Sequence, residues 1–269
     1  MKNTVVTHKP QSLPILMYHS LDDSGSVVSV NPKEFAKQME CLADAGFRGT
    51  SLREAVTYRN DMGYWPSQTV VLTFDDGFAS VTDKAVDVLD RFGFTATVFV
   101  ISGYMGRCND WADPPAGLGT RRILSWGQAR ELARAGLEIG SHTRTHPDLT
   151  CLSATQAKEE IVGSRREIED IIGDAVTSFS YPYGEMNSTV STCVEKEFQA
   201  ACTTDLRRAN HDPLHYLPRV DMYYVNSEQK LRRLLKGELD QYLAFRAVGR
   251  VVRRAVMRGM TRSPVGAEA

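Results

Sequence analysis

Residues Thr69–Gly77 read TVVLTFDDG, six residues without a charge followed by two adjacent aspartates and a glycine. The first six, mostly β-branched or aromatic, predict a buried strand. The aspartates stand where that strand ends. Two neighbouring carboxylates at the mouth of an apolar strand repel each other and lose hydration. One of them therefore requires a counter-charge, which a metal ion supplies. A helix is expected just beyond; an N-cap role there accounts for one aspartate and leaves the other unexplained.

Outward from this stretch the same pattern recurs. Apolar runs at Pro14–Tyr18, Thr95–Ile101, Leu137–Gly140, Val176–Tyr181 and Ala200–Thr203 read as strands. Between them lie helical periodicities. Asn31-Pro32 opens one with Phe35, Met39 and Leu42 on a single face, and Val81, Ala85, Val88, Leu89 and Phe92 mark a second. Ser125–Ala135 forms a third. Ser153 and Gln156 make a capping box for a long helix ending at Gly173, and Val190, Val194 and Phe198 mark another. Strands alternating with helices define an α/β domain with parallel strands, taken as residues 10–225, followed by a helical tail over 226–269. Asn109–Thr120, polar and proline-containing, reads as a surface loop.

Composition narrows the function. The 32 basic and 33 acidic residues leave a net charge of −1, which argues against a nucleic-acid partner held by a bulk positive field. No apolar run approaches a membrane span. Cys41, Cys108, Cys151, Cys193 and Cys202 are scattered singly, and the first residues lack the apolar core of a signal peptide; both lead to an expected cytoplasmic location.

In an α/β barrel catalytic groups sit at the strand ends. The Leu137–Gly140 strand runs into Ser141-His142-Thr143-Arg144-Thr145-His146, and the first strand ends at His19. His142 and His146, four apart, can face one point; with one carboxylate they make a three-ligand site open to water and substrate. Taken alone the two histidines would read as a surface loop. Zinc suits two histidines and an aspartate, with cobalt or nickel equally compatible by ligand type. The second carboxylate is then free to act as general base.

The series Thr73-Phe74-Asp75-Asp76-Gly77, Ser141-His142-Thr143-Arg144-Thr145-His146 and Tyr181-Pro182-Tyr183-Gly184 resembles the motifs of the polysaccharide deacetylases, the NodB-homology enzymes of carbohydrate esterase family 4. The resemblance runs from about Pro14 to Asp221. It implies a distorted (β/α)7 TIM-like barrel and metal-dependent removal of N-acetyl, sometimes O-acetyl, groups from carbohydrate. Carried over, it makes Asp75 the general base, Asp76 with His142 and His146 the metal ligands, and the Tyr183 backbone N–H an oxyanion donor. Tyr181 and Pro182 would meet substrate, and Trp111 in the polar loop could stack on a sugar ring. Trp65 and Trp126 read as packing residues. The alternatives are another amidohydrolase on the same scaffold, or a glycan-binding pseudo-enzyme, against which the intact aspartates and histidines argue.

Two features depart from the family pattern. The third motif often carries an arginine that orients the base; here that place holds Ser180 or Tyr181, and Arg219 in Leu217-Pro218-Arg219-Val220-Asp221 is the candidate substitute. A late Leu-x-His motif supplying the general acid is not seen, and His211 and His215 fall in a polar loop without a preceding strand. Met17-Tyr18-His19 resembles that motif displaced to the N-terminus, as in the circularly permuted branch resembling exopolysaccharide deacetylases. His19 is therefore assigned as the acid.

In the tail, Arg246, Arg250, Arg254, Arg258 and Arg262 recur every four residues, opposite Val248, Val252, Ala255 and Val256. The expected arrangement is an amphipathic helix packed on the barrel with a solvated basic face. The alternative is peripheral contact with an anionic membrane through Arg246–Arg262. Residues 246–269 carry +5, so the remainder carries −6: a mildly acidic body with a basic arm.

Overall fold

The computed structural model describes residues 12–111 and 118–261, with side chains through residue 250. Its centre is a barrel of seven parallel strands. The chain enters at β1 (Ile15–Tyr18), forms the small pair β2 (Ser20–Leu21) and β3 (Ser29–Val30), and turns into α1 (Pro32–Asp44). Asn31 caps that helix through the amides of Lys33 and Glu34, with Pro32 at its first position. The short β4 (Arg48–Thr50) and α2 (Leu52–Met62) follow. Regular alternation then sets in: β5 (Thr69–Phe74), α3 (Val86–Phe92), β6 (Thr97–Val100), α4 (Trp126–Arg134), β7 (Glu138–Ser141), α5 (Ala154–Ile172), β8 (Ser178–Ser180), α6 (Ser188–Glu197), β9 (Ala200–Leu206) and β10 (Leu217–Asp221). The tail forms α7 (Glu228–Leu235) and α8 (Asp240–Thr261).

Strand β1 closes the barrel by pairing with β10 on one side and β5 on the other. The lower half of β5, Thr69–Val71, pairs with β4, and its upper half, Thr73–Phe74, with β6. Thus β4 fills the gap at the base where β5 and β6 diverge. Helices and strand exteriors share one core containing Phe35, Met39, Leu72, Phe74, Val98 and Ile161. Ile15, Val71, Phe99, Cys202 and Leu217 meet inside the barrel, above Leu52, Val56 and Trp65 at its floor.

Strand parity carries that lumen upward into the chemistry. Side chains two residues apart share a face. Val71 packs inside the barrel, so Thr73 and Asp75 continue its row; Leu217 packs inside, so Arg219 and Asp221 continue its row. The lumen is apolar at the base and polar at the strand ends.

Three local readings are sharpened. Asp75 and Asp76 do not cap the next helix: Val81–Ala85 is one π-helical stretch, without a side-chain cap, leading into α3. Leu217–Asp221, where the sequence marks no strand, forms β10 and follows the loop of His211 and His215 directly. In the tail, the expected solvated basic face holds at Arg246, which is exposed, and fails at Arg250, which is turned inward. Arg246 lies over the Tyr224 ring at 4.8 Å and Arg250 is paired with Asp221, whereas Phe245 and Val248 are 75% and 64% exposed. Leu239 and Leu243, both buried, anchor the start of α8. Arg254 and Arg258 lie where side chains are not described, and Arg262 lies outside the described residues. Among the described residues no helix is long and apolar enough to cross a membrane.

Candidate active site

Asp75 is held from across the barrel. Arg219, fully buried, places Nη1 2.7 Å from Asp75 Oδ1 and Nη2 2.7 Å from Oδ2, a bidentate pair. Its other donors are also used: Nε to the Thr203 carbonyl at 2.9 Å, Nη1 to Thr73 Oγ1 at 3.2 Å and Nη2 to Ser180 Oγ at 2.9 Å. Ser180 donates in turn to Asp75 Oδ2 at 3.3 Å. Because β10 neighbours neither β5 nor β8 in the sheet, these contacts run through the lumen. Burial alone would raise the Asp75 carboxyl, but the charge of Arg219 and its hydrogen bonds outweigh it and hold Asp75 well below the usual carboxylate range. Arg219 therefore supplies the guanidinium that the third motif lacks, and Ser180 occupies the vacated place.

Asp76 turns the other way. Its backbone is left-handed (φ 68°), which separates its side chain from that of Asp75. Asp76 Oδ1 lies 3.4 Å from His142 Nε2 and 3.5 Å from His146 Nε2, and ligand atoms of the three buried residues all fall within 4.8 Å of one another. Donors bound to one ion at about 2.0–2.2 Å in tetrahedral geometry stand about 3.3–3.6 Å apart, so both contacts to Asp76 suit a shared cation. His142 Nδ1 is 2.7 Å from the Ser180 carbonyl, which only accepts, so Nδ1 carries a proton. Burial opposes protonation of the second nitrogen, but the hydrogen bond with Asp76 and the Asp75 charge outweigh it and push the His142 pKa up; a ligand role requires the neutral ring, with the Nε2 lone pair toward Asp76. His146 is desolvated, and its pKa falls to about 4, so its ring is neutral at neutral pH, as a ligand must be. Its buried Nδ1 finds no hydrogen-bond partner among the described residues. The donor set fits a divalent cation.

The loop presenting both histidines is tied down from outside. Thr143 and His146 have φ of 68° and 60°, conformations that cost about 1–3 kcal/mol each without compensation. Glu160 on α5 supplies it: Oε2 accepts the amides of Arg144 and Thr145 at 2.9 Å each, and Oε1 accepts the Thr145 hydroxyl at 2.8 Å. Gly103 N–H donates to the Arg144 carbonyl at 2.9 Å.

His19 follows β1 directly. Tyr18 is in register with Phe74, so His19 stands level with Asp75, within electrostatic reach of Asp75, Asp76 and Asp221. His215 instead places Nε2 2.8 Å from the Phe198 carbonyl, beside the start of β9 rather than among these groups. Tyr183 sits in a left-handed turn (φ 58°) with its ring centroid 4.6 Å from that of His146. The following Gly184 is sterically required: a Cβ there would stand 2.2 Å from Thr204 Oγ1.

Tyr181, Pro182 and Trp111 are placed differently from the expectation of substrate contact. Tyr181 is fully buried against Phe179, with its hydroxyl on the His215 carbonyl, and Pro182 is buried beside it. Trp111 is 2% exposed, wedged among Phe78, Tyr104 and His146. These side chains back the site and present no open stacking face. Three contributors went unread in the sequence. Ser180 and Glu160 are polar residues without a motif of their own, and Asp221 was visible only as the neighbour of Arg219.

A closed parallel barrel with a clamped carboxylate beside an Asp-His-His cluster is the architecture of a barrel hydrolase. The chain belongs to the polysaccharide deacetylase family, whose model matches residues 63–199. His19 and Arg219 lie outside that span. Over 209 residues it is 32% identical to YxkH of Bacillus subtilis (strain 168), provisionally named a polysaccharide deacetylase, covering 77% of this chain and 70% of that protein. It is 26% identical to the poly-beta-1,6-N-acetyl-D-glucosamine N-deacetylase of Staphylococcus epidermidis, covering 71% and 67%. The Streptococcus pyogenes deacetylase PplD, solved in complex with acetate, shares the fold with a TM-score of 0.73 and 24% identity, over 84% of this chain and 99% of that one. As a family member the protein is an enzyme, a carbohydrate deacetylase acting on non-peptide carbon–nitrogen bonds.

Proposed function

We propose that the protein is a metal-dependent N-deacetylase acting on an amino-sugar glycan or glycolipid precursor, with zinc as the ion. The observation that carries this reading is the division of two adjacent aspartates, one clamped by Arg219 and the other facing two histidines. The name of the S. epidermidis relative supports an N-acetylglucosamine substrate. Asp76, His142 and His146 would hold a divalent ion, which would supply Lewis acidity toward the acetamide carbonyl and a bound water. Asp75, kept ionised and oriented by Arg219, takes the proton from the attacking water. The Tyr183 backbone N–H is assigned to the developing oxyanion. His19 gives its proton to the nitrogen as the carbon–nitrogen bond breaks, so that acetate and a free amine leave.

Residues 10–225 are taken as the catalytic barrel and 226–269 as an arm applied to it. The five unpaired cysteines support a cytoplasmic placement. Peripheral contact with an anionic membrane through Arg246–Arg262 is the alternative role for the arm, and it would be made without Arg250, which is paired with Asp221. Recovery of the protein in a high-salt wash of membranes fits that contact; recovery only in a low-salt supernatant opposes it. The function is tested by acetate release from N-acetylglucosamine oligomers. Release should stop on chelation and return with zinc, and release indifferent to chelation would remove the metal from the mechanism.

A further inference from the structure

The end of β10 carries a carboxylate that the mechanism above leaves unused. Asp221 lies two residues beyond Arg219 on the same strand face, and its register partner is Met17, two residues before His19. A buried carboxylate beside a histidine favours the protonated ring only while the carboxylate itself stays ionised. Asp221 is largely buried, which opposes that ionisation. The groups acting on it are Arg250 from α8, His19 from the end of β1, Arg219 on its own strand and the Tyr223 amide, which donates to Oδ1 at 3.1 Å. Among these, Arg250 is the cation contributed from outside the barrel.

Arg250 Nη1 lies 3.5 Å from Asp221 Oδ2, and the Arg250 side chain is only 20% exposed. Nη1 is sealed from solvent and makes no hydrogen bond among the described residues; its ion-pair contact is with Asp221. The Tyr224 ring supports the arrangement, with the Arg246 and Arg250 guanidinium carbons 4.8 and 5.9 Å from its centroid. Farther back, Arg208 grips Asp240 at the start of α8 through two hydrogen bonds of 3.0 and 2.7 Å.

We infer that Arg250 is a positioning residue for the reaction: helix α8 reaches back to the strand ends and, by holding Asp221 as a carboxylate beside His19, keeps the leaving-group acid charged. This makes the tail part of the catalytic apparatus. The inference rests on the reading of His19 as the acid.

The test compares pH profiles of kcat/KM for acetate release from N-acetylglucosamine oligomers by the full-length zinc enzyme and its Arg250→Gln, Arg250→Lys, Asp221→Asn and His19→Ala variants. Removing the cation lets Asp221 take a proton at higher pH. With the carboxylate's support for the protonated His19 ring weakened, Arg250→Gln should lower kcat several-fold with KM within about twofold, and move the alkaline limb downward by about one pH unit. Arg250→Lys should restore most of the wild-type profile. In an Asp221→Asn background Arg250→Gln should add nothing. The inference is overturned if the Arg250→Gln profile superimposes on wild type, even with a lower melting temperature, or if the loss is undiminished in the Asp221→Asn background. Normal turnover by His19→Ala would instead remove the acid assignment on which it stands.

Discussion

Arg219 concentrates the site's energetics in one side chain. Completely buried, it meets Asp75, Thr73, Ser180 and the Thr203 carbonyl at once, so every contact it makes is shielded from screening. Arg219→Met keeps the volume but leaves Asp75 charged and unpaired. The expected cost is about 3–5 kcal/mol of stability, read as a lower denaturation midpoint, together with a loss of turnover. The acid side of the stability curve follows from the same pair. Because the native Asp75 carboxyl lies below its ordinary value of 3.8, the unfolded chain binds the proton first as pH falls. The contribution is full above that value and is lost as pH drops through the lower native one. Arg219→Met should flatten that part of the curve, and an unchanged acid limb of stability would show that the pair is not its source. At this scale Asp75, Asp76, His142 and His146 were legible because each pair lies within a few residues of chain. The partnership of Arg219 with Asp75 spans 144 residues and depends on barrel closure.

At the scale of elements, the catalytic end is a set of strained turns held by the helices behind them. Among the described residues, Asp76, Thr143, His146 and Tyr183 are four of the five non-glycine positions with positive φ, and all belong to the site. Glu160 compensates two of them by accepting three hydrogen bonds from the Arg144-Thr145 segment. Glu160→Gln exchanges an acceptor oxygen for a donor and should weaken zinc binding by about 10-fold or more, with helical content unchanged. Isothermal titration of the metal-free protein reads this directly, and wild-type affinity in the variant would make the clamp dispensable. The long apolar strands were readable for a related reason: both faces of a parallel barrel strand are buried, so β5 and β6 are continuous apolar runs. Strand β4 lacks that signal, since Arg48-Gly49-Thr50 is too short and polar. Its glycine instead admits a neighbouring layer, as a Cβ on Gly49 would stand 2.7 Å from Leu72 Cδ1. Helix α2 buries only Leu52, Ala55 and Val56, and β10 is interrupted in hydropathy by the arginine it delivers to the lumen.

For the molecule as a whole, the near-neutral charge conceals an acidic barrel joined to a basic arm, and the arm's first arginines are directed to Tyr224 and Asp221. Amphipathic spacing revealed the helix but not its orientation, because a buried carboxylate and an aromatic ring attract the basic face as effectively as solvent does. The strand ends gather chemistry contributed from His19 to Arg250, so the reaction belongs to the closed barrel with its tail. Its central claim is that Asp75 is the base and Asp76 the metal ligand. The most direct measurement is acetate release by Asp75→Asn loaded with zinc, with bound metal quantified in the same sample. Full zinc occupancy with turnover reduced by about 10²-fold or more is the predicted result. Near wild-type turnover at full occupancy would contradict the account, as would loss of zinc from this variant while Asp76→Asn retains it.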